Sequence, residues 1–164
     1  MTIENLATIS EPHVSDMRSA IEHRAAWMFL LLDEARKEGL EWDGFARKAI
    51  LRCGRFHGDC KFSKTDDLQA FGKEFANELV KKIFEMDVVE MGPNRFVVEF
   101  HYCPLVSAWK KQNATEAEIE HLCDIAMDGD RGIVETFPAF EFELQDTLAK
   151  GDKVCRIIIT KKKE

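Results

Sequence analysis

The apolar residues of this 164-residue chain change their spacing near residue 86, and no other feature constrains the fold as strongly. Up to that point they recur every three or four positions, the period of a helix that buries one side. Met17, Ile21, Met28, Leu32 and Ala35 form a first stripe between Pro12, a residue suited to a helix start, and Gly39, one suited to a stop. Trp42, Phe45, Ala49, Cys53 and Phe56 form a second, which assigns Cys53 to the core. A third runs through Leu68, Phe71, Phe75, Leu79 and Ile83, with Thr65 and Asp66 as candidate caps. His57-Gly58-Asp59-Cys60 reads as the loop between the last two.

Beyond residue 86 the period falls to two. Residues 87–91, a Gly92-Pro93-Asn94 turn and residues 95–102 spell a hairpin, with Pro104 ending its second strand. Thr115-Glu116-Ala117-Glu118 is a capping box opening a helix with Ile119, Leu122, Cys123 and Ala126 inside and a stop near Gly129. Phe140, Phe142 and Leu144 alternate with Glu141, Glu143 and Gln145 as a half-buried strand. After a turn at 150–153, the β-branched run 154–160 makes the last strand. The expected class is therefore α+β: a helical N-terminal half packed on an antiparallel sheet of about four strands. A chain of this length buries roughly two-thirds of its unfolded surface in one core, so residues 1–164 are expected to form a single domain. Its helical part would span about 12–84 and its mixed part about 86–161.

Charge narrows the partners. With 23 Lys+Arg against 30 Asp+Glu the net charge is −7, and the sole basic run is Lys161-Lys162-Lys163, which argues against a nucleic-acid surface. The longest apolar run, 25–32, is far short of the roughly 20 residues that cross a bilayer, so no membrane span is expected. The opening ten residues carry Glu4 and no basic segment, which does not read as a secretory leader. Five cysteines, an odd number, do not suit a closed disulfide framework, so the expectation is a cytoplasmic protein with free thiols.

Phosphate-binding glycine loops, nucleophile elbows, H-E-x-x-H and C-x-x-C are all absent from the sequence. The candidates for chemistry form a looser set. His101 and Cys103, two apart on a predicted strand, would leave one face about 7 Å apart, with Glu99 one step back. An acid, an imidazole and a thiol so placed suit a thiol–imidazole pair, although the spacing is long for a direct hydrogen bond. Cys123 and Cys155 fall on apolar faces, where a thiol also serves as a small hydrophobe. Cys60 lies beside His57 and Asp59 in a weakly metal- or redox-like grouping. Cys103, Cys123, Cys155 and His101 would together make a zinc shell if they converged, a cofactor the ligand chemistry permits and the spacing does not demand.

The run Phe100-His101-Tyr102-Cys103-Pro104-Leu105-Val106-Ser107-Ala108-Trp109-Lys110 resembles the L-2-amino-thiazoline-4-carboxylic acid hydrolase family. The resemblance continues through Leu122-Cys123-Asp124-Ile125-Ala126, Gly129-Asp130-Arg131-Gly132 and Lys150-Gly151-Asp152-Lys153-Val154-Cys155. It implies hydrolytic opening of a cyclic thiazoline to an N-carbamoyl-cysteine-type product. Within it, His101 is the candidate base and Cys103 the candidate nucleophile; Cys123 and Asp124 join the catalytic set, with Glu99 or Asp124 orienting the ring. Asp130, Arg131 and Cys155 are the candidate substrate-binding residues, with Arg131 or Arg55 as the cation for the substrate carboxylate. The segment 149–158 is also similar to the C-terminal signature of 4-vinyl-reductase-like small-molecule-binding domains. That second similarity implies a homodimer, a small ligand or zinc, and hence a non-catalytic sensor as the alternative.

Overall fold

The computed structural model describes residues 2–163. Among them, seven α-helices and four strands follow in the order α1 (Pro12–Lys37), α2 (Asp43–Cys60), α3 (Leu68–Phe75), α4 (Glu78–Phe84), β1 (Met86–Met91), β2 (Arg95–Phe100), α5 (Pro104–Lys111), α6 (Glu116–Ala126), α7 (Asp128–Glu135), β3 (Phe140–Leu144) and β4 (Cys155–Lys161), with a 3-10 turn at Leu148–Lys150. The four strands form one antiparallel sheet in the order β1-β2-β4-β3, so the α+β class expected from the two periods holds. Among the described residues, no helix is long and apolar enough to cross a membrane.

The alternation on β2, β3 and β4 builds the core. Phe96 pairs with Ile159, Val98 with Ile157 and Phe100 with Cys155, and this side of the sheet meets the helices. Phe71 of α3 lies 4.8 Å from Phe137 and 5.3 Å from Phe140, ring centre to ring centre. Such tilted and edge-on aromatic contacts add to the area they bury. Trp109 of α5 is fully buried and donates its indole N–H to the Ala25 carbonyl at 3.0 Å, which ties α5 to α1.

Several local expectations differ from what the chain does. The third stripe does not run as one helix: the chain breaks at Ala76 (φ −101°, ψ 53°), and the Asn77 side chain accepts from the Val80 amide to start α4 afresh. The cap of α3 is Asp67, not Thr65 or Asp66. His57-Gly58-Asp59-Cys60 is the last turn of α2, not a loop. The helix opened by the capping box ends at Ala126, and α7 follows at once.

The second stripe has the right period on the wrong side. Phe45 and Phe56 are half or more exposed, and Cys53 is exposed, which overturns its assignment to the core. Helix α2 instead buries Ala46, Gly54 and Gly58, the two glycines against α7. A β-carbon on Gly54 would fall 2.0 Å from the Gly129 carbonyl oxygen, and one on Gly132 would fall 2.4 Å from the Leu51 carbonyl oxygen. The two backbones touch, so side chains of any size are expelled to the opposite side of α2.

This contact predicts that Gly54→Ala destabilises the protein by about 2 kcal/mol or more, because the overpacking cost exceeds the helix-propensity gain. Gly44→Ala, in the same helix with nothing within 4 Å of the new carbon, changes stability by no more than about 0.5 kcal/mol. Urea midpoints of the two variants at equal m-value check the pair.

Candidate active site

The site begins where β2 ends. The strand stops at Phe100, short of the expected Tyr102, because the chain turns away to pair with the end of α4. The His101 amide donates to the Glu85 carbonyl at 3.2 Å and the Tyr102 amide to the Phe84 carbonyl at 3.1 Å. Cys103 follows in extended geometry (φ −133°, ψ 114°) as the N-cap of α5, with Pro104 in the first turn. A proline favours extended backbone in the residue before it and suits the start of a helix, so Pro104 both ends the strand and begins α5.

That turn separates His101 from Cys103. The two do not leave one strand face: His101 is exposed, and its Nε2 lies 2.9 Å from Asp87 Oδ2 in a cleft lined by Thr8, Lys81, Lys82 and Glu85. Glu99 does not reach the ring either, being held by Arg156 at 2.6 Å.

Cys103 instead meets groups from four other elements. Burial pushes its thiol above the ordinary range. The first-turn amides of Val106 and Leu105 pull it down, the Asp130 carboxylate raises it, and the Arg24 guanidinium lowers it. Cys155, the first residue of β4, is placed beside this turn by its pairing with Phe100. Its thiol is pushed up to about 12, chiefly by burial and then by Cys103, while the Leu148 amide, 3.2 Å from its sulfur, works in the opposite sense. Burial and then the neighbouring Cys155 and Cys103 hold the Cys123 thiol of α6 well above its ordinary value. Asp130 of α7 completes the group. Burial raises its carboxyl to about 6, against the opposing pull of Arg24 and Arg131.

The structure thus draws Cys103, Cys123, Cys155 and Asp130 into one electrostatic neighbourhood, leaves His101 outside it, and sets Asp124 at its edge, where its charge reaches Cys123 alone of the three thiols. Asp124 faces α2, with Arg47 at 2.8 Å and Arg131 at 3.0 Å. Burial alone would raise its pKa, but these two arginines override it and hold the carboxyl below the usual range. Arg131 is spent on Asp124 and on Asp128 at 2.7 Å, and Arg55 on Glu135 at 2.8 Å. Arg24, which sequence reasoning did not single out, makes no ion pair among the described residues. It lies on the exposed flank of α1, where periodicity carries no signal. Among the described residues, no group of three or more His, Cys, Asp or Glu is arranged to hold a metal ion. The Cys60 grouping is likewise unassembled, since Asp59 pairs with Lys64 at 2.8 Å.

A family model for L-2-amino-thiazoline-4-carboxylic acid hydrolase matches residues 18–159. The chain belongs to the L-2-amino-thiazoline-4-carboxylic acid hydrolase family. Membership carries a hydrolase-like function in the broad sense, without fixing the substrate. No curated protein matches the chain significantly. Among solved structures, it is similar to a trafficking protein particle complex subunit 3 from Naegleria fowleri, solved with palmitic acid covalently bound. That match has 16% identity and a TM-score of 0.58, over 87% of this chain and 95% of that one. Likeness at this identity speaks for the fold alone.

The raised pKa of Asp130 has a measurable consequence. From its ordinary 3.8 to about 6, the folded protein holds a proton that the unfolded chain has released, so this group's contribution to stability falls as pH rises through that window. Relative to Asp130→Asn, the native protein should lose about 1–3 kcal/mol between pH 4 and 6 and nothing further above pH 7. Paired urea titrations across that range check it; parallel curves would refute it.

Proposed function

We propose that this protein hydrolyses a small carboxylated cyclic amidine of the thiazoline type, with Cys103 as nucleophile and Asp130 as proton carrier. The observation that carries this reading is the pairing of a thiol at a helix N-terminus with a carboxyl whose pKa is raised into the working range. The first-turn amides of α5 draw the thiol towards thiolate against the burial that raises its pKa, and an acid titrating near 6 is populated in both protonation states close to neutrality.

The chemistry balances with these groups. The Cys103 thiolate adds to the amidine carbon between ring nitrogen and ring sulfur, and the carbon–sulfur bond of the ring breaks. The departing sulfur takes the Asp130 proton and becomes the product thiol, leaving an isothiourea on Cys103. Asp130, now a carboxylate, accepts a proton from water as the water oxygen adds to the same carbon. Breakage of the Cys103 bond releases an N-carbamoyl-cysteine-type product and restores the Cys103 thiolate, with Asp130 again protonated. In this scheme Arg24 anchors the substrate carboxylate, since Arg131 and Arg55 are already paired. Cys123 and Cys155, buried with raised pKa values, stay as neutral thiols. His101 and Asp124 take no part in the scheme.

Incubation with L-2-amino-thiazoline-4-carboxylate, following carbamoyl-cysteine by mass, tests the reading. Cys103→Ser should lower kcat at least 10³-fold, Arg24→Ala should raise KM about 10–100-fold with kcat within threefold, and Asp130→Asn should abolish the limb of the kcat profile near pH 6. Native turnover no faster than that of the Cys103 variant would sink it.

The homodimer expected from the sequence forms part of the proposal. Trp27 and Leu31 on the outer side of α1 are 66% and 67% exposed. A partner copy would cover them. A monomer mass by light scattering would refute this pairing.

A further inference from the structure

The N-terminal segment, residues 2–11, has no helix or strand, yet it is fastened along the turn that carries Cys103. Its fastenings come in three places. Ile3 is buried (3% exposed), with its carbonyl accepting from Lys110 Nζ at 2.8 Å and its amide donating to Glu116 Oε1 at 3.3 Å. At the other end, the Thr8 and Ile9 amides donate to Glu85 Oε1 at 2.6 and 2.8 Å, and Arg18 donates to the Ile9 carbonyl at 2.7 Å. Between them lies Asn5. Its Oδ1 accepts from the Cys103 amide at 2.8 Å, and its Nδ2 donates to the Cys103 carbonyl at 2.9 Å.

This double bond to a single residue, across 98 positions of sequence, is unlike the other fastenings. It takes both polar groups of one backbone unit and so restrains φ and ψ of Cys103 together. The extended conformation it holds sets the thiol by the first turn of α5, where the Leu105 and Val106 amides lower its pKa without a capping hydrogen bond from the sulfur. Pro104 biases the same conformation but supplies no N–H, so nothing on its side replaces the bond to the Cys103 amide. The family match begins at residue 18, so the segment lies outside it.

We propose that Asn5 is a positioning residue for the Cys103 site, clamping the Cys103 backbone so that the thiol stays at the mouth of α5 and opposite Asp130. The inference rests on Cys103 being the reactive thiol of the function proposed above. Asn5 touches no reacting atom. It acts through the backbone of Cys103, while the charges that set the thiol itself come from Asp130 of α7, Arg24 of α1, and the first turn of α5, with Cys123 and Cys155 as neutral neighbours.

The test uses the full chain with Cys53 and Cys60, both exposed, changed to Ser. Iodoacetamide labelling of Cys103 is followed by peptide mass spectrometry from pH 6 to 10, beside thermal melting and turnover. In Asn5→Ala the labelling midpoint should rise by half a pH unit or more, and kcat should fall about 10-fold with KM within threefold. Asn5→Asp keeps the acceptor for the Cys103 amide and loses the donor, so it should fall between. Ile3→Ala loosens the same segment without touching Cys103 and should lower the melting temperature with the midpoint unmoved. An Asn5→Ala midpoint equal to the native one overturns the proposal, whatever the melting temperature does. A shift as large in Ile3→Ala, or a Cys103 that resists labelling equally in all variants, overturns it too. Absence of turnover in the native protein bears on the hydrolase reading alone, since labelling is read without substrate.

Discussion

The contact on which the rest of the structure depends is the one between the backbones of α2 and α7. Gly54 lies on Gly129, Gly132 on Leu51 and Gly58 on Ile133 and Thr136, so closely that a methyl group on Gly54, Gly58 or Gly132 would collide with a carbonyl oxygen of the facing helix. That closeness fixes the rotation of α7 about its own axis, because its glycine side must face α2. With Gly129 and Gly132 turned that way, Asp130 is left facing Arg24 and the thiols of Cys103 and Cys155. The raised pKa of Asp130 is thus a consequence of helix packing at some remove from the carboxyl itself. Glycine in a helix costs conformational entropy, and here the cost secures a placement that larger residues would forbid.

Cys103 depends on a second constraint, the change from strand to helix at Pro104. An extended residue before a proline-started helix has its side chain over unpaired amides, an arrangement that suits an anion. Burial opposes the thiolate and the first-turn amides favour it; burial prevails, so the thiol titrates above its ordinary range by an amount that depends on how close it stays to those amides. Small displacements of its backbone therefore matter, and the fastening of this turn by groups from several elements follows the same logic.

The acidic character of the chain shows in how its arginines are used. Arg18, Arg47, Arg131 and Arg156 each hold one or more carboxylates, and most of these pairs join elements distant in sequence. Apart from the buried Arg18–Glu85 pair, they are partly exposed and add little individually, but all of them occupy the guanidinium groups. Arg24 makes no such ion pair among the described residues, and its charge acts instead on Asp130 and Cys103.

What the sequence by itself determined was the periodicity, and with it the number and order of most elements. The alternation of Phe140, Phe142 and Leu144, and of Cys155, Ile157 and Ile159, placed those residues on the inner side of the sheet. Periodicity is local, and a buried face repeats every two or nearly four residues wherever it goes. It does not say which of two faces is buried when the partner is a bare backbone, so the large residues of α2 mimic a core stripe and its glycines leave no mark on the pattern. Nor does it register a helix as short as α5 or α7, where two turns give too few repeats to see. The family blocks brought Cys103, Cys123, Cys155 and Asp130 to notice one by one. Only the tertiary structure decided that those four share a neighbourhood, that His101 belongs to another, and that the charge of Arg24 reaches Cys103 and Asp130. Charges act through space over several ångströms, and distance in space is what linear spacing leaves undetermined once a chain turns back on itself.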